Sequence, residues 1–240
     1  MTIAILCPTK GRPEQFRRMV DSASKTAAGE IIYYQDVQGD HYNSIDALQG
    51  KTLSYILSSP DMLPTVYRWN RMALLAMNHK HCNLFMLAAD DIVFATPLWD
   101  KAIIDHYNAL DNKIHVYALQ DSRDPEGTPH QIVTREYIEA MGYFCPPIFL
   151  HWHTDTWTTE IAKANGVFTH MKDYLLIHDK PSDRGEPDAT HTGIRAQGWH
   201  ERDQYVAKTC GHFLDVEKKR LASIIQKWKI DRMKPMDEVV

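Results

Sequence analysis

Apolar and polar positions alternate in blocks along this chain, and the period changes from block to block. Ile3 to Cys7 is an unbroken apolar run closed by Pro8, the pattern of a strand covered on both faces. Pro13 suits a first helical turn, and Phe16, Met19, Val20 and Ala23 then recur at helical spacing. Glu30 to Val37 reads as a second strand. Val66 to Asn78 predicts a helix with Trp69, Met72, Ala73 and Met77 on one face, and Asn83 to Leu87 a third buried strand. Pro97 opens a helix running to about Leu110, and Ile114 to Leu119 is a further strand. Shorter helices follow at Thr134–Met141 and Thr156–Ala164, the second stopped by Gly166. Leu175 to Ile177 is a short strand ending at His178. Residues 181–199 hold Pro181, Gly185, Pro187, Gly193 and Gly198 and read as a mobile loop. Leu214 to Trp228 is amphipathic, with Leu214, Leu221, Ile224, Ile225 and Trp228 on one stripe.

Strands and helices in alternation predict an α/β fold, a doubly wound and mostly parallel sheet flanked by helices and followed by a C-terminal helix. In such sheets ligands bind outside the carboxyl ends of the strands. Here those ends carry Thr9-Lys10-Gly11-Arg12, Asp36, Asp90-Asp91, Asp121 and His178. A single Asp or Gly there merely terminates a strand. Polar groups at five ends argue for a site.

Composition narrows the class. The 240 residues are 44% hydrophobic and 24% charged, with a net charge of -4, which excludes a disordered chain and a surface basic all round. The length suits one large domain or one with an appendage. No apolar run approaches the ~18 residues of a spanning helix, so no membrane association is expected. The N-terminus reaches Pro8, Lys10 and Arg12 too soon for a signal peptide, and Cys7, Cys82, Cys145 and Cys210 form no Cys-x-x-Cys pair. Free thiols in a reducing cytoplasm are the expectation.

The sharpest chemical signal is Asp90-Asp91 directly after an apolar strand. Adjacent carboxylates repel unless a cation or solvent offsets them, and a divalent ion held with substrate phosphates is a common solution. Lys10 and Arg12 read equally as phosphate contacts or as a solvated turn. His151 and His153 flank Trp152 on one face of an extended segment, but no further zinc ligand stands at readable spacing. Trp152 and Trp157 suit either an acceptor pocket, by stacking on sugar or base faces, or the core. Asp155 opens a helix, where an aspartate is ordinarily a cap.

In order and spacing, these residues resemble the inverting glycosyltransferases of the GT-A fold, the broad family-2-like group, in the short form common among bacteriophage-encoded proteins. The resemblance spans residues 2–207. Cys7-Pro8-Thr9-Lys10-Gly11-Arg12-Pro13 is similar to the group's opening Pro-Thr-x-Gly-Arg-Pro. Asp36 matches the acid that contacts the nucleotide base, and Asn70 falls near the Asn of the following helix. Asp90-Asp91 match the end of the Asp-x-Asp region, and Thr96 to Asp100 the Thr-x-x-Trp-Asp that follows it. His130 to Pro146, with Arg135, Gly142, Tyr143 and Phe144, is similar to the acceptor-side segment. Asp155 lies where the family keeps its catalytic base, with Glu160 as a fallback, and His178 resembles the late His. Two positions depart from the pattern: Ala88 replaces the first acid of Asp-x-Asp, and Ile177 the Glu before the late His.

The resemblance implies a metal-dependent transfer of a sugar from a nucleotide-sugar donor, expected to be UDP-linked, to an acceptor hydroxyl. Pro8, Thr9, Lys10, Gly11, Arg12, Asp36, Asn70 and Asp91 would bind the donor. Asp90, Asp91 and His178 would hold Mn²⁺ or Mg²⁺, Asp155 would be the base, and Trp152 and Trp157 would line the acceptor side. A nucleotidyltransferase is disfavoured because Gly11 stands alone rather than in a Gly-x-Gly loop. A non-catalytic binding module stays open because of Ala88. The expected division is a catalytic domain over 1–207 and a basic helical extension over 208–240. Residues 216–234 carry seven Lys/Arg against Glu217 and Asp231, about +5 locally. That basic helix suits DNA as the acceptor, through a hydroxymethylated pyrimidine, or is a solvated face over the Leu221, Ile225 and Trp228 stripe, and a polysaccharide or protein is the alternative acceptor.

Overall fold

The computed structural model describes residues 1–38, 54–59, 63–180, 185 and 189–233. The apolar run at the N-terminus forms β1 (Thr2–Thr9), and its two-sided burial follows from its place in the sheet. β1 lies between β2 (Ile31–Gln38) and β4 (Cys82–Leu87), both parallel to it. Ile3, Ile5 and Cys7 point into one core, against Phe16, Met19 and Val20 of α1 (Pro13–Thr26) and Trp99 and Ile103 of α3 (Trp99–Ala109). Ala4 and Leu6 point into the other, against Val66, Trp69 and Met72 of α2 (Thr65–Ala76). A period-2 strand with helices on both faces must be apolar at every position.

The sheet has eight strands in the order β3-β2-β1-β4-β7-β6-β8-β5. Its remaining strands are β3 (Ser54–Ser59), β5 (Ile92–Phe94), β6 (Val116–Asp121), β7 (Gln131–Thr134) and β8 (Phe168–His178). Four pairings are parallel, and the three that involve β7 or β5 are antiparallel. The expected doubly wound α/β sheet is thus observed in a mixed form. β3, β5 and β7 were not anticipated: three to six residues carry too little periodicity to announce a strand.

Helices α4 (Arg135–Met141) and α5 (Thr154–Ala164) cover one face together with α8 (Gly211–Met233). Thr134 caps α4 by accepting from the Tyr137 amide at 3.2 Å. The stretch expected as a loop, 181–199, instead carries α6 (Ala189–Ala196) and the first residue of α7 (Trp199–Thr209). Gly193 is inside α6, where its cost of about 1 kcal/mol did not prevent a helix. Residues 181–184 and 186–188 lie outside the described ones. The C-terminal helix is docked: Leu221 is fully buried in the same core as Ala4 and Leu6. Tyr143 donates to Glu217, and Asn165 donates to the Lys218 carbonyl at 3.1 Å. All four cysteines are free thiols. No described helix is long and apolar enough to cross a membrane.

Candidate functional site

The register brings the strand ends together. Pro8 lies beside Asp36, Leu6 beside Leu87, Ile92 beside His178, and Asp121 beside Leu176. A cavity of about 230 Å³ opens at this edge. Its wall includes Pro8, Thr9, Lys10 and Arg12 after β1, Asp90 and Asp91 after β4, His178 and Lys180 after β8, and Trp152 and Asp155 at the start of α5. Gly11 supplies the turn between β1 and α1 at φ +71°, a conformation glycine adopts without strain. His153, the residue before α5, takes φ +67° without that freedom, a strained entry to the helix between Trp152 and Asp155.

Two carboxylates that are neighbours in sequence have different surroundings. The Arg12 guanidinium lies 3.1 Å from Asp90 and 3.5 Å from Asp91. Burial dominates at Asp90 and pushes its carboxyl up to about 7, although Arg12 pulls the other way. Burial also opposes charge on Asp91, but His178 at 3.5 Å, with His130 and Arg12, outweighs it and holds the carboxyl at about 2. His178 bridges Asp91 and Asp121, its Nδ1 being 3.2 Å from Asp121 Oδ2. Burial works against an imidazolium there, yet the two carboxylates raise it to about 9. Asp121 is likewise pushed up by burial and pulled to about 2 by His178 and His130. His130, 3.7 Å from Asp121, is forced down to about 4 by burial and by the charge on His178.

Beneath the cavity, Arg68 of α2 is buried and donates to Asp36 Oδ1 at 3.1 Å and to the Thr9 carbonyl at 3.0 Å. Asp36, fully buried, also lies 3.8 Å from Arg71. It braces the floor and is not part of the wall. Asn70 is likewise engaged elsewhere: its carbonyl accepts from the Phe144 and Cys145 amides at 3.0 and 2.9 Å, and its amide donates to the Cys145 carbonyl at 2.9 Å. Trp157 packs in the core edge-on to Phe149 and is away from the wall, whereas Trp152 lines it. Of His130 to Pro146, only His130 is on the wall. Arg135 instead clamps the carbonyls of Met77, His79 and Cys82. Asp100 accepts from the Ala28 and Gly29 amides and ties α3 to the α1–β2 turn. His151 contacts Thr65 at 2.7 Å, and neither it nor His153 joins a metal-ligand cluster among the described residues.

Asp155 is half-buried in the wall. Burial raises its carboxyl above the ordinary range, against the Thr156 amide that donates to it at 2.8 Å. The loop before it is held by Asp203 of α7, which is fully buried and accepts from the Leu150, His151 and Trp152 amides at 3.0, 2.8 and 3.0 Å. Sequence reasoning did not find Asp203, Arg68, Lys180 or Trp199, which also lines the cavity. Only Arg68 had a usable signal, a cation among the apolar residues of an amphipathic helix.

No family model matches the sequence, and no curated protein does. Solved structures share the fold. TarS of S. aureus superposes with a TM-score of 0.57 at 13% identity over 77% of this chain and 38% of that one. TarS 1-349 in complex with UDP gives 0.57 at 12% identity over 77% of this chain and 62% of that one. The mannosyltransferase PcManGT from Pyrobaculum calidifontis, in complex with GDP-Man and Mn2+, gives 0.52 at 10% identity over 73% and 56%. The chain therefore has a GT-A-like glycosyltransferase fold. It spans 38% to 62% of the length of the TarS structures it matches.

Proposed function

We propose that this protein is an inverting glycosyltransferase that uses a nucleotide-sugar donor. The observation that carries the reading is the joining, in one cavity at the strand ends, of a cationic and carboxylate cluster with a separate carboxylate, Asp155, on the wall. A nucleotide-sugar donor leaves a diphosphate, and Lys10 and Lys180 are the wall groups suited to its developing charge. A divalent cation on the His178 side would add Lewis acidity at the same oxygens. Arg12 holds Asp90 and Asp91, and so sets the shape of that side. Asp155 receives the proton of the acceptor hydroxyl as it attacks. Its raised proton affinity suits a base, because transfer is most effective when the acceptor's pKa approaches the working pH. Trp152 offers a ring face beside Asp155 on which an acceptor sugar or base can stack.

UDP is the first donor nucleotide to try, on the strength of the TarS complex. DNA carrying a hydroxymethylated pyrimidine is the first acceptor, because α8 exposes the cations Lys219, Arg220, Lys227 and Lys229. The test is incubation with a panel of nucleotide sugars and with plain and hydroxymethylated DNA, read by mass. Asp155→Asn should lower turnover by ~10²–10⁴ and leave donor binding within a few-fold. An aspartate that only caps α5 predicts near-wild-type turnover, since Asn caps about as well as Asp.

A further inference from the structure

We propose that Asp121, His130 and His178 form a divalent-metal site of two imidazoles and one carboxylate, in which Asp91 orients His178 and Asp90 is no ligand. The three side chains bring one donor atom each to within 4.8 Å of one another. Asp121 divides its two oxygens. Oδ1 accepts from the Arg123 and Asp124 amides at 2.8 and 3.0 Å, which locks the carboxylate. Oδ2 is thereby turned to His178 Nδ1 at 3.2 Å and to His130 Nε2 at 3.7 Å. Metal–ligand bonds of about 2.1 Å set cis donors roughly 3.0–3.5 Å apart, so small shifts would place one ion among all three.

The second observation is independent of that spacing. His130 is 5% exposed, and neither of its ring nitrogens has a hydrogen-bond partner among the described residues. A buried imidazole with both nitrogens unsatisfied is costly, and a metal at Nε2 removes that cost. The far side of His178 completes the pattern: Nε2 lies 3.5 Å from Asp91 Oδ1. A carboxylate on the outer nitrogen of a ligating histidine fixes the ring and raises its basicity. Asp90, by contrast, is held by the Arg12 guanidinium at 3.1 Å, and a cation there would face a fixed positive charge. His130 and His178 also line the cavity, so an ion held by them would be reachable from it.

Two imidazoles and a carboxylate suit Mn²⁺, Co²⁺ or Zn²⁺ better than Mg²⁺, which prefers oxygen and its own waters. The ligand set stands on geometry alone. Its role, meeting a leaving diphosphate, rests on the glycosyltransferase reading.

The test uses the full chain stripped with chelator and titrated with Co²⁺ and with Mn²⁺, without nucleotide. One equivalent of Co²⁺ should give visible ligand-field bands, and pulsed EPR of the Mn²⁺ form should show two imidazole nitrogens. His130→Ala and Asp121→Asn should weaken Co²⁺ binding by more than the roughly 10–100-fold expected for Asp91→Asn, an outer partner. Asp90→Asn should leave it within a few-fold. Absence of stoichiometric binding to the wild type, or a Mn²⁺ signal without nitrogen coupling, overturns the proposal without any variant having to fold. So does loss of binding in Asp90→Asn with retention in His130→Ala. UDP binding is measured separately on the same samples. Its absence with Co²⁺ binding intact would refute the glycosyltransferase reading and leave the metal site standing.

Discussion

Asp203 offers the most demanding check on how the cavity wall is held. Its carboxylate is fully buried and receives three consecutive backbone amides, from Leu150, His151 and Trp152, at 2.8–3.1 Å. Asp203→Ala would leave three donors without an acceptor. An unsatisfied buried donor costs about 1–3 kcal/mol. Water entering beside α7 would recover part of this, so about 3 kcal/mol in total is a conservative expectation. For a chain of this size 1 kcal/mol moves the melting temperature by ~2–4 °C, which predicts a fall of about 6–12 °C. Asp203→Asn keeps one oxygen, but turns an amide donor toward the Arg202 guanidinium or toward the loop amides, and should fall between the two. The ion pair with Arg202 is the competing explanation, since Nη1 lies 2.8 Å from Asp203 Oδ1. Arg202 is 43% exposed, and such a pair is worth less than about 1 kcal/mol. Calorimetric melts of the three variants, Asp203→Ala, Asp203→Asn and Arg202→Ala, separate the accounts. Because the loop leads into Asp155, Asp203→Ala should also lower turnover more than donor binding. A melt within about 2 °C of wild type for Asp203→Ala would refute the amide-clamp argument.

Leu221→Ala should destabilise the protein by ~2–5 kcal/mol, because the side chain is fully buried in the core shared with β1; a loss under 1 kcal/mol in denaturant melts would show that α8 is not part of that core. His115 gives a pH effect away from the cavity: burial, with His106 nearby, depresses its pKa to about 4, so the unfolded chain takes up a proton below about 6.5 while the native one does not. Stability should therefore fall from pH 6.5 to 4 by up to about 3 kcal/mol, and His115→Gln should flatten that part of the curve. Charge reversal at Lys219, Lys227 and Lys229 should weaken DNA binding and flatten its salt dependence; unchanged binding in a fluorescence titration would remove DNA contact from α8.

The parts of this protein legible in the sequence are those whose physics is local. β1, α1 and β4 were visible because a two-faced strand needs an unbroken apolar run and a covered helix needs a 3.6 period. The strand-end residues Lys10, Arg12, Asp90, Asp91, Asp121 and His178 were visible too, because the crevice of an α/β sheet has a fixed place relative to strand direction. Asn70, Trp157 and Asp36 carried the same kind of signal, yet their side chains are engaged in the interior. Nothing in a one-dimensional pattern distinguishes an Asn aimed at a ligand from one aimed at the Phe144 and Cys145 amides. Helix α6 was hidden because glycine and proline content is a statistical signal that packing overrides. Tertiary structure alone decided the grouping of Asp121, His130 and His178. Antiparallel β7 and the register shift between β6 and β8 bring residues 57 positions apart to one carboxylate oxygen. Strand pairing is set by burial summed over the whole sheet, and that sum is not contained in any local stretch of sequence.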